Sequence, residues 1–143
     1  MNRKEFKKAL CSVLSEYGFE TKKNISRVET KELIIVVATQ KSNFENSYYI
    51  NFGFLIKSLN TDIDNPKDNQ CDVFGRFNLD INGEKRSVIE YEFIEHEEFC
   101  YKLRKSLDYT IKPVMDFGLK KYFELFPMAL MTATLKAKEY LSK

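Results

Sequence analysis

At 143 residues, with 43% hydrophobic and 31% charged side chains, the chain has the size and composition of one globular domain over residues 1–143, and not those of a disordered or collagen-like segment. Its 23 Lys and Arg nearly balance 21 Asp and Glu, a formal net charge of +2, so no field that would gather nucleic acid or an anionic membrane is expected. Cys11, Cys71 and Cys100 make neither a disulfide framework nor a CxxC metal pair, no leader peptide is read, and no apolar run approaches the roughly 20 residues of a membrane span, which together point to a cytoplasmic protein.

Phe6, Ala9, Leu10, Val13, Leu14 and Tyr17 recur at three- and four-residue steps, which predicts a helix over Arg3–Tyr17 with one apolar stripe. Gly18 stands where a left-handed residue would cap it. Phe19 to Thr30 is polar with sparse apolar residues and reads as an edge strand. Leu33–Thr39 (LIIVVAT) is apolar on both parities, the pattern of a strand buried on both faces. After a turn over Gln40–Ser47, Tyr48, Ile50, Phe52, Phe54 and Ile56 alternate with Tyr49, Asn51, Gly53, Leu55 and Lys57, as in a long strand with an aromatic face. Asn60–Gln70 is dominated by turn formers and reads as a surface loop.

Two strand-like runs then flank Asn82-Gly83, the strongest short-range turn signal in the chain. A two-residue turn there would set Val73 against Glu92 and Gly75 against Glu90, apolar parity against polar, and would bury charge. A three-residue loop, Ile81-Asn82-Gly83, with Gly83 left-handed in a bulge, sets Val73 against Tyr91 and Gly75 against Ile89 instead, and is the expected register. It places Arg76 on the same outer face as Glu90 and Glu92.

Phe99, Leu103 and Leu107 repeat at four-residue steps beside Cys100, marking a helix that Pro113 must end or kink. Gly118 and Pro127 divide the C-terminal stretch into helical pieces over Leu119–Phe126 and Met128–Leu141. Helix, strands, then helices is the order of an α+β fold: an N-terminal helix, an antiparallel sheet of about five strands with a central hairpin, and C-terminal helices packed on one sheet face.

Chemistry-bearing motifs are sparse. The lone histidine, His96, lies in EHEEF, with Cys100 where a zinc helix of the HExxH kind needs its second histidine. A histidine at a helix start and a buried thiol are the expected roles. Phosphate-cradling glycine runs are missing, and Asn60, Asp62 and Asp64 open like a calcium loop whose turn glycine and closing glutamate are replaced by Asn65 and Cys71. No catalytic residue, metal or cofactor is therefore expected. Most of the 12 Phe and 8 Tyr fall on core parities, with Tyr49 as the exception. There remains a candidate ligand-binding group of Tyr49, Asn51, Arg76, Glu90 and Glu92, pointing outward from the helix-free sheet face. The Arg76 guanidinium suits a carboxylate or phosphate, and its nearest partner within the chain would be Glu90 or Glu92 across the hairpin.

The helix ending in YGF, the run VVATQKS, then YYINFGF and GRF resemble an uncharacterised bacterial family, number 4304 in the series of domains of unknown function. Gln40-Lys41-Ser42 followed by Tyr49-Ile50-Asn51-Phe52-Gly53 carries the resemblance, which extends over most of the chain and is strongest from Phe6 to Ile56. It implies a small bacterial cytosolic protein of α+β build and brings over no catalytic residue. Two functions stay open: a non-catalytic binding or interaction module, immunity- or antitoxin-like, with a protein partner and neither nucleic acid nor membrane; or a small hydrolase or nuclease using Arg76 with Glu90 or Glu92.

Overall fold

A computed structural model of the chain describes residues 1–44 and 46–143. Helix α1, Arg3–Glu16, starts at a capping box in which the Asn2 side chain accepts from the Glu5 N–H (2.8 Å) and the Glu5 carboxylate accepts from the Asn2 N–H (3.0 Å). It buries Phe6, Ala9, Leu10, Val13 and Leu14, and Gly18 with φ 90° turns the chain away. The single edge strand expected over Phe19–Thr30 is instead a hairpin of β1, Glu20–Lys22, and β2, Ile25–Glu29. Lys23, at φ 58°, makes the reversal, and β1, exposed throughout, has no apolar side chain to hold a longer strand against the core.

Strand β3, Leu33–Lys41, pairs over its whole length with β4, Ser47–Ile56, from Leu33 opposite Ile56 to Lys41 opposite Tyr48. Glu45, within the expected turn, lies outside the described residues. β3 is buried on both faces, as its double apolar parity requires: Leu33, Ile35 and Val37 join the helical core, while Ile34 and Val36 form a second cluster with Leu55 and Cys71. That second cluster lies under the chain between β4 and β5. The segment expected to be a solvated loop is therefore seated in part on the helix-free face, where Pro66 is buried and its carbonyl accepts from Arg27 Nε (2.9 Å). Gly53 permits the seating, since a Cβ there would lie 2.6 Å from Cys71 Sγ and 2.7 Å from its Cβ. Gly53→Ala is expected to cost about 1–3 kcal/mol by overpacking, read as a lower denaturant midpoint. An unchanged midpoint would mean that the loop is not seated there.

The hairpin differs from the expected register. β5, Val73–Arg76, and β8, Val88–Glu90, both pair with β4, end to end along its outer edge. Val73 lies opposite Phe54 and Gly75 opposite Phe52, whereas Ile89 lies opposite Tyr48, so neither Val73 and Tyr91 nor Gly75 and Ile89 are partners. Between them, β6, Leu79–Ile81, and β7, Glu84–Arg86, form a separate ribbon around a two-residue turn, with Asn82 at φ 52° and Gly83 at φ 80°. Positive φ at both positions is what the Asn-Gly signal encodes. The three-residue bulge expected at Ile81-Asn82-Gly83 is not formed. The parity conflict that argued for it is removed in another way: the ribbon closes after Leu79 opposite Arg86, and both flanks leave each other for β4.

Helix α2, His96–Thr110, buries Phe99, Cys100, Leu103 and Leu107. Pro113 stands near the start of α3, Lys112–Phe117, and Gly118 at φ 89° separates α3 from α4, Leu119–Leu125. The helical piece expected over Met128–Leu141 is broken. A 3₁₀ segment, Pro127–Thr132, precedes extended Ala133, and α5, Leu135–Leu141, begins where the Thr134 side chain accepts from the Ala137 N–H (3.2 Å). The helices cover one face of the sheet order β1-β2-β3-β4-β5 with β8 beside β5, which is the α+β arrangement expected. Among the described residues no helix is long and apolar enough to cross a membrane.

Candidate functional site

Alternation along β4 sends Tyr49 and Asn51 to the helix-free face, and pairing of Asn51 with Arg76 brings the guanidinium beside them. The Arg76 guanidinium carbon lies 3.8 Å from the centre of the Tyr49 ring. Its Nε donates to Asn51 Oδ1 (2.9 Å) and its Nη2 to Gln40 Oε1 (3.0 Å). The Asn51 amide donates to the same Gln40 oxygen (2.9 Å) and to Asp68 Oδ2 (3.3 Å). Stacking and two hydrogen bonds hold an exposed arginine flat against the sheet, with the stacking contributing on the order of 0.5–1 kcal/mol.

Of the five residues singled out in the sequence, Tyr49, Asn51 and Arg76 come together and the two carboxylates do not. Glu90 lies opposite Ser47 and accepts from Arg86 Nη2 (2.7 Å), while Glu92 is exposed in a 3₁₀ turn, Tyr91–Phe93. Because β5 and β8 follow one another along β4 rather than face each other, Arg76 has neither glutamate across from it. Among the described residues no carboxylate forms an ion pair with it. Its partners are Gln40, Asn51 and Tyr49 instead. Gln40 was missed because it was assigned to the turn expected over Gln40–Ser47, whereas β3 runs on to Lys41 and its register sets Gln40 directly opposite Tyr49. Phe74, 52% exposed, is two residues from Arg76 on the same strand face and completes a polar–aromatic patch.

Behind the edge formed by β5, a cleft of about 410 Å³ opens between β5, the β6–β7 ribbon, α2 and α4. Phe52, Phe77 and Tyr122, all nearly sealed, line it together with Tyr109 and Phe126. A Cβ on Gly75 would meet the tip of the Phe52 ring at 2.6 Å, so this glycine lets the ring slide beneath the strand. Neither Glu90 nor Glu92 lines the cleft.

The remaining reactive groups are packed or capped. His96 begins α2, and its Nε2 is 3.9 Å from Cys100 Sγ. Burial raises the Cys100 thiol and pushes Cys71 to about 12, so both stay protonated near neutrality and act as packing groups.

A protein-family model described as a domain of unknown function (DUF4304) matches residues 10–116. That segment holds the second half of α1, the whole sheet, α2 and nearly all of α3, and with them the Arg76 patch, whereas Tyr122 and Phe126 of the cleft lie beyond it. No curated protein and no solved structure matches the chain.

Proposed function

We propose that this chain, which belongs to the DUF4304 family of domains of unknown function, is a non-catalytic interaction module that docks a protein partner against Arg76 on the helix-free face. The observation that carries this reading is the arginine itself: pre-set by Tyr49, Asn51 and Gln40, exposed, and without an ion-pair partner among the described residues. A guanidinium whose Nε and one Nη are already anchored loses little freedom when its remaining N–H groups meet a partner carboxylate. Exposed Phe74 beside it supplies apolar area. A bacterial cytosolic antitoxin- or immunity-like protein, acting as a single domain that blocks an acidic surface, is the concrete form of this reading.

Arg76→Ala tests it. Removal of an exposed side chain is expected to leave unfolding free energy within about 1 kcal/mol of the parent. Partner retained by the immobilised parent chain from its native cell should fall by about tenfold or more, since a hydrogen bond to a charged group is worth about 1.5–3 kcal/mol. Equal retention by the folded variant would refute the docking role of this face.

A further inference from the structure

The cleft behind β5 has a composition unlike the rest of this nearly neutral chain. Three lysines line it, Lys85 from β7 and Lys102 and Lys105 from α2, against one carboxylate, Asp80. None of the three forms an ion pair with a described residue. Lys105 lies 5.0 Å from the centre of the Tyr101 ring, a contact that attracts its charge without neutralising it. Lysines three apart on one helix project from the same face, so α2 aims two positive charges over a single opening.

Beneath these cations the surface is aromatic. Phe52 and Phe77 lie 4.8 Å apart, Tyr122 meets Phe126 at 5.1 Å, and Tyr109 stands edge-on to Phe126 at 5.4 Å. Tyr122 is only 6% exposed, and among the described residues its hydroxyl has no hydrogen-bond partner, yet no sealed side-chain polar atom is left unsatisfied. The hydroxyl therefore keeps some solvent contact at the cleft that Tyr122 lines, and burial of the ring raises its pKa. The volume is that of a small-molecule site, where about 300–1,000 Å³ is usual.

We propose that this cleft binds a small planar aromatic anion, with the ring set against Tyr109 and Phe126 over the buried edges of Phe52, Phe77 and Tyr122, and the anionic group held by Lys102 and Lys105. An aromatic floor alone would take any apolar molecule, and a cationic rim alone any anion; the two together select a molecule carrying both. The site is independent of the docking face, because α2 and α4 lie on the other side of the sheet from the Arg76 guanidinium.

The test is a titration of the full isotope-labelled chain with 1-naphthyl phosphate, followed by amide shifts, with inorganic phosphate and neutral 1-naphthalenemethanol as comparators. Saturable shifts centred on residues 75–78, 102–110 and 122–126 are expected, with affinity about tenfold or more above either comparator. Lys102→Glu combined with Lys105→Glu should weaken naphthyl phosphate by about tenfold or more at unchanged melting temperature, since both charges are reversed at the surface. Shifts centred elsewhere, a comparator that binds as tightly, or a folded double variant that binds like the parent would each overturn the proposal. Loss of partner docking in Arg76→Ala has no bearing on the Lys102 and Lys105 result, so the two ideas fail separately.

Discussion

Phe54→Ala is expected to lower the unfolding free energy by about 3–5 kcal/mol, the range found when a fully buried phenylalanine is truncated. Phe54 is 0% exposed in the second half of β4, opposite Ile35 on one side and Val73 on the other, which are themselves sealed. Its ring touches Phe52 at 5.7 Å and meets Tyr122 edge-on at 5.1 Å. The strand is clamped by hydrogen bonds on both edges, so the backbone cannot sink to refill the space and much of the cavity persists. A domain of this kind is stable by only about 5–15 kcal/mol, so the variant should sit near its folding threshold, which a urea titration will show. Tyr122 loses its support at the same time, and the cleft floor should loosen with it. A loss below about 1 kcal/mol would contradict the packing of α4 on this strand.

Asp72→Ala should cost about 2–4 kcal/mol although no apolar surface is lost, because two buried donors lose their acceptor. Asp72 is 2% exposed, and its Oδ2 accepts both the Ile56 N–H (2.9 Å) and the Asn60 Nδ2 (2.9 Å). Asn60 in turn accepts from Lys136 Nζ (3.1 Å), while the Asp72 carbonyl accepts from the Thr134 N–H (3.1 Å). One carboxylate thus ties the end of β4, the following loop and the start of α5 together. Asp72→Asn keeps a carbonyl oxygen for both donors and should recover more than half of the loss in the same denaturation experiment. Equal losses for alanine and asparagine would show that the charge, and not the shared acceptor, is what matters.

Most of the secondary structure was legible because it rests on short-range periodicity. The stripe of α1, the double apolar parity of β3, the aromatic alternation of β4 and the break at Pro113 each depend on residues within a few positions of one another. The first part of the candidate site was legible for the same reason: once β4 alternates, Tyr49 and Asn51 must share a face, and Arg76 follows from its own strand parity.

The hairpin shows where that reasoning stops. Local preference at Asn82-Gly83 asked for a two-residue turn and the parity of the flanks asked against it, and weighing only those two strands favoured a bulge. Strand β4 was left out of that balance. It offers backbone hydrogen bonds to both flanks, so the turn keeps its preferred geometry and the conflict disappears when the flanks part. Gln40 in place of Glu90 as the neighbour of Arg76 follows from the same rearrangement.

Composition and alternation by themselves therefore determined the fold class, the order of elements and the outward placement of Tyr49, Asn51 and Arg76. The tertiary structure alone decided which strand each flank of the hairpin joins, how far the loop covers the second face, and that lysines from β7 and α2 converge beside aromatic rings from β4 and α4. Side-chain direction is set by the backbone period within one element, whereas partner choice is a competition among segments distant in the chain, and only the assembled fold resolves it.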